Sequence, residues 1–328
     1  MTTPMMKAAM VHRYGGPEAI NVESTPRPEP KSGEVLVRVR ATPVTAADVR
    51  LRSAVVPAGF GPLIRLVGGI FGPRNPIPGI NFAGTIAELG EGVTTFKLGD
   101  RVFGVSGFSG GSHAEFLKIR ADAAIVPLPK GLSFEEGAAF CFGGLTSSDF
   151  LIDKAKMEKG ESLLVLGATG SVGSAALSLG RHLALHVTAV ASTKNLELAR
   201  ELGAHEVIDY TKEELRGAYD GILDVMGILP YEKAKTFLKP GGRLMPVTNT
   251  LLENLGAALR PIRNGHRITG STTSDKLDSL KRLVSIYEAG GYKPLVGSVM
   301  PFEQIQEAHR VATTWHKRGN LILTLSAE

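Results

Sequence analysis

With 328 residues, 43% of them hydrophobic and 21% charged, the chain has the composition of an ordinary globular protein with room for two domains. Its net charge is +5, but the basic residues are scattered among acidic ones with no aromatic-laced basic face, which excludes nucleic acid as a partner and leaves a weak field favouring phosphorylated ligands. A single cysteine, Cys141, excludes an intramolecular disulfide and a thiolate zinc cluster.

The eight histidines never pair with carboxylates at ligand spacing, so no metal is expected. His182 and His186 are four apart, but a strand begins at His186, so they do not share a helix face. No basic segment followed by an apolar run opens the chain, and no uncharged apolar run approaches roughly 18 residues. No secretory leader and no membrane span are expected, and the cytoplasm is the expected compartment.

From Met1 to about Val126 the chain reads as β-rich. Strand candidates are Met6–Val11, Glu34–Ala41, Gly84–Leu89, Asp100–Val105 and Ala114–Ile119, separated by Gly, Pro and Asp punctuation. Short, evenly spaced strands predict an antiparallel barrel or sandwich. Thr45–Arg52 interrupts them as a single helical turn. The stretch from Phe60 to Pro78 is apolar but broken by Gly and Pro; it reads as an irregular loop that packs down or walls a substrate pocket.

From Ser133 the pattern changes. Ser133 and Glu136 have capping-box spacing, with helical candidates at Ala138–Phe142 and Leu145–Lys154. Strand and helix then alternate: strand Leu163–Leu166, helix from Ala175, strand Val187–Ala191, helix Asn195–Leu202 and short strand Val207–Ile208. They continue with strand Ile222–Val225, helix Tyr231–Leu238, strand Arg243–Val247 and strand Arg267–Gly270. Such alternation predicts a parallel sheet covered on both faces by helices. A last helix, Asp275–Glu288, and a terminal strand, Asn320–Leu325, are predicted to return to the first domain.

The chemistry-bearing stretch is Leu166-Gly-Ala-Thr-Gly-Ser-Val-Gly173. A doubly buried strand breaks at Gly167, glycines recur at Gly170 and Gly173, and a helix begins. Such a turn brings backbone N–H groups and a helix N-terminus against a phosphate, which puts Thr169, Ser171 and Val172 beside the glycines as contacts. The spacing is Gly-x-x-Gly-x-x-Gly rather than the usual Gly-x-Gly-x-x-Gly. A tight strand–helix corner with no ligand is the alternative.

If a dinucleotide binds there, the end of the second strand meets the adenosine ribose, where NAD sites place a carboxylate. Here it reads Ala191-Ser192-Thr193-Lys194-Asn195: two hydroxyls and an ammonium. Lys194 suits a 2′-phosphate that a carboxylate would repel, and Tyr210, after the third strand, is placed to donate to it. NADPH is therefore expected over NADH. Ser171 lacks the first glycine of a hydrolase elbow, and no lysine follows Gly173 as a P-loop requires. Tyr231 and Lys235 have the spacing of a short-chain dehydrogenase pair but lie on a surface helix.

Several motifs in order carry a family likeness: Val44–Arg52, Gly79–Gly84, Val93–Gly104, Gly144–Ser147, Leu166–Gly173, Lys239–Arg243 and His316–Asn320. Over nearly its full length the chain resembles the zinc-independent medium-chain dehydrogenase/reductases, the quinone oxidoreductase group. The resemblance implies an α/β protein: a GroES-like β-rich catalytic domain built from both chain ends (residues 1–127 and 271–328), with an inserted Rossmann domain (128–270). Where zinc-dependent relatives carry Gly-His-Glu this chain has Gly79-Ile80-Asn81, and no cysteine lies near Val44 or Thr45.

The implied activity is hydride transfer from NADPH to a small-molecule quinone or α,β-unsaturated carbonyl. Thr146 matches a threonine near the nicotinamide, and Asn320 a cofactor contact. Val225 and Met226, with Thr248 and Asn249, are expected along the cofactor. Thr45 and Asp48 are the catalytic candidates, with Thr45 standing where quinone oxidoreductases often have asparagine. Asp48 and Arg52 as mere braces of the loop are the alternative. No proton donor is identified; solvent and Tyr14 are the candidates. Alternative functions are a non-catalytic NADPH-binding protein of the same fold and an NADP-dependent alcohol dehydrogenase. The resemblance also implies a homodimer.

Overall fold

The computed structural model describes residues 4–107, 110–271, 276–315 and 317–326. Strands β1 (Met5–Val11) and β2 (Ile20–Pro26) form an antiparallel ribbon. The long strand β3 (Glu34–Val44) ends at helix α1 (Ala46–Ser53), and α2 (Gly61–Gly68) follows. Then come β4 (Asn81–Leu89), β5 (Arg101–Val105), β6 (Phe116–Arg120) and β7 (Ile125–Pro127). Helix α3 (Phe134–Ser148) starts on the Ser133/Glu136 capping box, where the two side chains and backbone N–H groups satisfy each other.

The second region alternates β8 (Ser162–Leu166), α4 (Ser171–His182), β9 (His186–Ala191), α5 (Leu196–Glu201), β10 (Glu206–Asp209) and β11 (Tyr219–Asp224). It continues with α6 (Tyr231–Ala234), β12 (Leu238–Pro246), α7 (Leu251–Leu259), β13 (Ile262–Arg263) and β14 (His266–Ile268). Its sheet has the order β10-β9-β8-β11-β12-β14-β13, parallel except for the last pair. That order reverses between β8 and β11, and a crevice for a dinucleotide opens at such a switch point, beyond the strands' carboxyl ends.

After α8 (Leu277–Glu288), strand β15 (Val296–Pro301), α9 (Ile305–Thr313) and β16 (Asn320–Thr324) return to the first region. Strand β16 pairs with β3, and β15 with β16, so both chain ends build one sheet, β15-β16-β3-β4-β5-β7. The largest core cluster runs from Phe103 and Val126 through α3 to Leu163, Val187 and Leu283. One apolar body thus joins the two regions.

The fold departs from the sequence reading at several elements. Residues 60–78 are not wholly irregular: α2 starts at Gly61 with proline beside it, at the helix start, where a missing N–H costs nothing. Thr45–Arg52 is not one turn but the start of the two-turn α1. The two helices expected on either side of Gly143 and Gly144 are one helix. The glycines are there for close packing, since a Cβ on Gly143 would lie 2.2 Å from the Ser171 carbonyl oxygen. Strands β2, β7, β13 and β15 and helices α7 and α9 lay outside the expected elements. The expected starting residue of the last helix, Asp275, and the first residue of the His316–Asn320 motif lie outside the described residues.

Candidate active site

The glycine turn forms a cradle. Gly167 has a φ of +76°, the left-handed region that suits glycine. A Cβ on Gly173 would sit 2.2 Å from the Gly167 carbonyl oxygen and 2.6 Å from the Ala168 Cα, so α4 packs against the strand only without a side chain there. At Gly170, by contrast, a Cβ would meet only the Gly167 carbonyl oxygen, at 3.6 Å, so space opens on that side. Gly170 is the N-cap of α4 and offers no side-chain cap, which leaves the first N–H groups of the helix to an outside acceptor.

The C-terminal return is laced to this turn. The Gly319 N–H donates to the Thr169 carbonyl at 2.8 Å, and Ser171 Oγ donates to Asn320 Oδ1 at 2.5 Å. Asn320 is buried and its Nδ2 donates to the Leu295 carbonyl, so both ends of its amide are held and it braces the C-terminal return against the glycine turn. Val172 is buried beneath the turn, and its carbonyl oxygen accepts from Ser147 Oγ. Thr146 sits in the same buried stretch of α3, its hydroxyl donating back to the Phe142 carbonyl.

At the end of β9 the parallel register sets Asp209 beside Ala191, and Tyr210 N–H donates to the Ala191 carbonyl. Tyr210 and the Ser192–Lys194 segment therefore lie together. Ser192 Oγ accepts from Asn195 Nδ2, and Thr193 Oγ1 donates to Asp209 Oδ2 at 2.5 Å. That carboxylate also receives the hydroxyl and N–H of Thr211. The hydrogen bonds from Thr193 first, then Thr211, hold the Asp209 carboxyl below the usual range. So a carboxylate is near, but it is spent on local hydroxyls. Lys194 is exposed and makes no ion pair among the described residues. A second cation joins it: Arg318 donates through Nη2 to the Lys194 carbonyl and through Nε to Asn195 Oδ1.

Beyond β11, the carboxylate of Asp224 accepts from the N–H groups of Met226, Gly227 and Leu229 and fixes the turn after Val225. Burial pushes the Asp224 carboxyl up, against the opposing pull of these hydrogen bonds. Met226 lies over the glycine turn, its Cγ 2.9 Å from where a Cβ on Gly167 would be. Beyond β12, Thr248 Oγ1 accepts from Arg50 Nη2 at 3.0 Å, while the Nδ2 of buried Asn249 has no partner among the described residues. Arg50 also lies over the Trp315 ring, so α1 touches both the segment after β12 and the C-terminal return.

Thr45 and Asp48 form a capping box at the start of α1. Thr45 N–H and Oγ1 both donate to Asp48 Oδ2, at 2.8 and 2.5 Å, and Asp48 N–H donates back to Thr45 Oγ1. The Thr45 hydroxyl proton is thus committed, and the residue is 1% exposed. Beneath it Arg52, His113 and His309 are buried together. Desolvation first, then the neighbouring His113 and Arg52, keeps His309 well below the usual histidine range. Tyr14, a candidate proton donor from the sequence, instead gives its hydroxyl proton to the Gly69 carbonyl at 2.9 Å and pins the segment after α2.

Lys317 went unread in the sequence: its ammonium donates to the Val44 carbonyl at 3.0 Å, next to the Thr45–Asp48 pair. It lies inside the His316–Asn320 motif, but its partner could not be read there, because 273 residues separate it from Val44. Arg50 and Arg318 were missed for the same reason, their partners being 198 and 124 residues away, whereas Asp224 binds the N–H groups of its own turn and was missed because a single aspartate at a strand end is no motif. Tyr231 and Lys235 are not a catalytic pair; Tyr231 donates to the Arg263 carbonyl and Lys235 pairs with Glu232.

Residues 31–130 match the family model of the alcohol dehydrogenase GroES-like domain, and residues 202–323 that of a zinc-binding dehydrogenase. The NADPH-dependent alkenal/one oxidoreductase of Arabidopsis thaliana chloroplasts is 31% identical over 97% of this chain and 79% of its own length. The human quinone oxidoreductase is 32% identical over 93% of each chain. The chain belongs to the medium-chain dehydrogenase/reductases. It is an oxidoreductase of the quinone oxidoreductase-like kind. The fold agrees with the quinone oxidoreductase structure from Coxiella burnetii, with a TM-score of 0.86 over 98% of this chain and all of that one, at 24% identity.

Zinc, which one of the matching family models carries in its description, does not fit the side chains of this medium-chain dehydrogenase/reductase. No three His, Cys, Asp or Glu residues converge among the described residues. Cys141 is buried within α3, packed in the core. Among the described residues no helix is long and apolar enough to cross a membrane.

Proposed function

We propose that this enzyme reduces quinones or α,β-unsaturated carbonyls with NADPH, without zinc. The observation that carries the reading is Lys194, without an ion pair among the described residues and flanked by Tyr210 and Arg318, at the end of the strand next to an open glycine cradle. The α4 N-terminus, with Gly170, Ser171, Val172 and Gly173, would hold the pyrophosphate. Ser192, Thr193, Lys194 and Tyr210 would surround a 2′-phosphate, and charge-assisted hydrogen bonds are the strong ones there. Asn249 Nδ2, buried and unpartnered, is a donor for the nicotinamide side, where Thr146, Val225, Met226 and Thr248 would also lie. The bound dinucleotide supplies a hydride; the residues orient it and keep water out. Thr45 and Asp48 serve by fixing the start of α1 against that side.

The relatives' names point to alkenals, enones and quinones as acceptors. The experiment is to follow NADPH and NADH oxidation with a panel of quinones, enals, enones and simple alcohols. We expect enone or quinone turnover with kcat/KM at least about 10-fold higher for NADPH. A preference for NADH removes the cofactor assignment. Turnover only of alcohols, abolished by chelators, removes the metal-free reductase reading.

A further inference from the structure

Reduction of an activated double bond by hydride needs a proton as well, and the side chains that look suited to give one are occupied. The hydroxyl protons of Thr45, Tyr14, Tyr219, Tyr231 and Tyr292 are committed to Asp48 and to the carbonyls of Gly69, Arg216, Arg263 and Phe140. His113, His309 and Cys141 are sealed in the core. Lys317 differs. It leaves the C-terminal return two residues before Gly319, whose N–H is bonded to the glycine turn. From there it reaches the Val44 carbonyl, at the end of the neighbouring strand β3 and one residue before Thr45. One of its three ammonium protons is used there, and the other two have no acceptor among the described residues.

We propose that Lys317 is the proton donor for the reduction, its ammonium held by the Val44 carbonyl beside the Thr45–Asp48 pair. The inference rests on the reductase reading above. Hydride adds to the β-carbon of the enone, and the π electron pair moves onto the α-carbon and carbonyl oxygen. The Lys317 N–H bond breaks with its electron pair staying on nitrogen, and the proton forms the new C–H bond at the α-carbon. The half-buried amine then takes a proton from water.

Burial lowers the Lys317 ammonium to about 8, against the opposing field of Asp48. An acid near the working pH gives up and regains its proton readily. Asp48, on α1, is the charged side chain that acts on it; Arg50, on the same helix, is engaged by Thr248 and Trp315.

The test joins kinetics with a titration that needs no turnover. The lysines of the protein without cofactor are reductively ¹³C-methylated and followed by NMR against pH. We expect one resonance titrating near pH 8 that is absent from Lys317→Met. In the wild type, kcat for an enone should fall as pH rises through about 8, because the protonated form is the donor. In Lys317→Met, kcat should drop about 100-fold with the alkaline limb gone, while KM for NADPH changes less than twofold. Lys317→Arg keeps the charge but not a transferable proton and should stay as slow.

Full activity in Lys317→Arg would make the role one of charge, and the proposal fails. An unchanged limb in Lys317→Met, or a lysine titrating at its ordinary pH, overturns it as well. The thermal midpoint of Lys317→Met at pH 7 should not fall, since the cost of a buried cation is removed. If the wild type reduces no enone or quinone, the reductase reading itself falls and takes this proposal with it. If it does so and the Lys317 variants match it, this proposal alone falls.

Discussion

Lys194 is an ammonium without a counter-charge among the described residues, beside a carboxylate that its neighbours have already used. Asp209 could in principle serve a ribose hydroxyl, as a carboxylate does in NAD sites, but Thr193 and Thr211 fill its oxygens. Lys194→Ala is therefore expected to raise KM for NADPH about 10-fold, the loss of one charge-assisted contact, with KM for NADH unchanged. Equal losses for both cofactors would show that the residue is not reading the 2′-phosphate. Lys194 was legible in the sequence because it directly follows the second strand of the strand–helix alternation, β9. Arg318 was not, because it stands 124 residues from the carbonyl it grips and is carried there by the bonding of Gly319 to the glycine turn. The Thr45–Asp48 pair was legible as a motif, whereas its hydrogen bonding was not: a hydroxyl that looks free to a substrate is the cap of α1.

The strand–turn–helix element makes two glycines that look alike in sequence opposite in structure. At Gly173 a methyl would collide with the Gly167 carbonyl and Ala168 backbone, neither of which can yield without moving β8 from α4. Gly173→Ala should destabilise the protein by roughly 1–3 kcal/mol, the range for overpacking, read as a lower denaturant midpoint. Gly170→Ala meets no such obstacle, and its φ of −79° suits alanine. It should leave the midpoint within about 0.5 kcal/mol and instead weaken dinucleotide binding, since its methyl would fill the open side of the cradle. A Gly170→Ala protein that binds NADPH as tightly as the wild type places the pyrophosphate elsewhere. The alternating elements here were legible because doubly buried strands read as apolar runs bounded by turns. Helix α7 was not, although Thr250 and Glu253 have capping-box spacing. Its apolar residues flank a proline-ended segment, and several of them face outward rather than marking a core stripe.

That outward face matters for the whole molecule. Leu252 and Leu259 are each 80% exposed on α7, and Ile262 is 63% exposed on β13, the last strand of the parallel-sheet region. Strand β13 pairs with β14 alone among the described strands, and a sheet edge next to exposed leucines invites another chain. We expect a homodimer formed across β13 and α7, a two-fold contact in which one patch meets its own copy. Sedimentation of the wild type at micromolar concentration should give a dimer. Leu259→Asp combined with Ile262→Asp puts two charges into the self-facing patch and should give a folded monomer that still binds NADPH, because neither residue reaches the cradle. A wild type that sediments as a monomer, or a dimer that the double substitution leaves intact, would assign this apolar face to something other than a second copy.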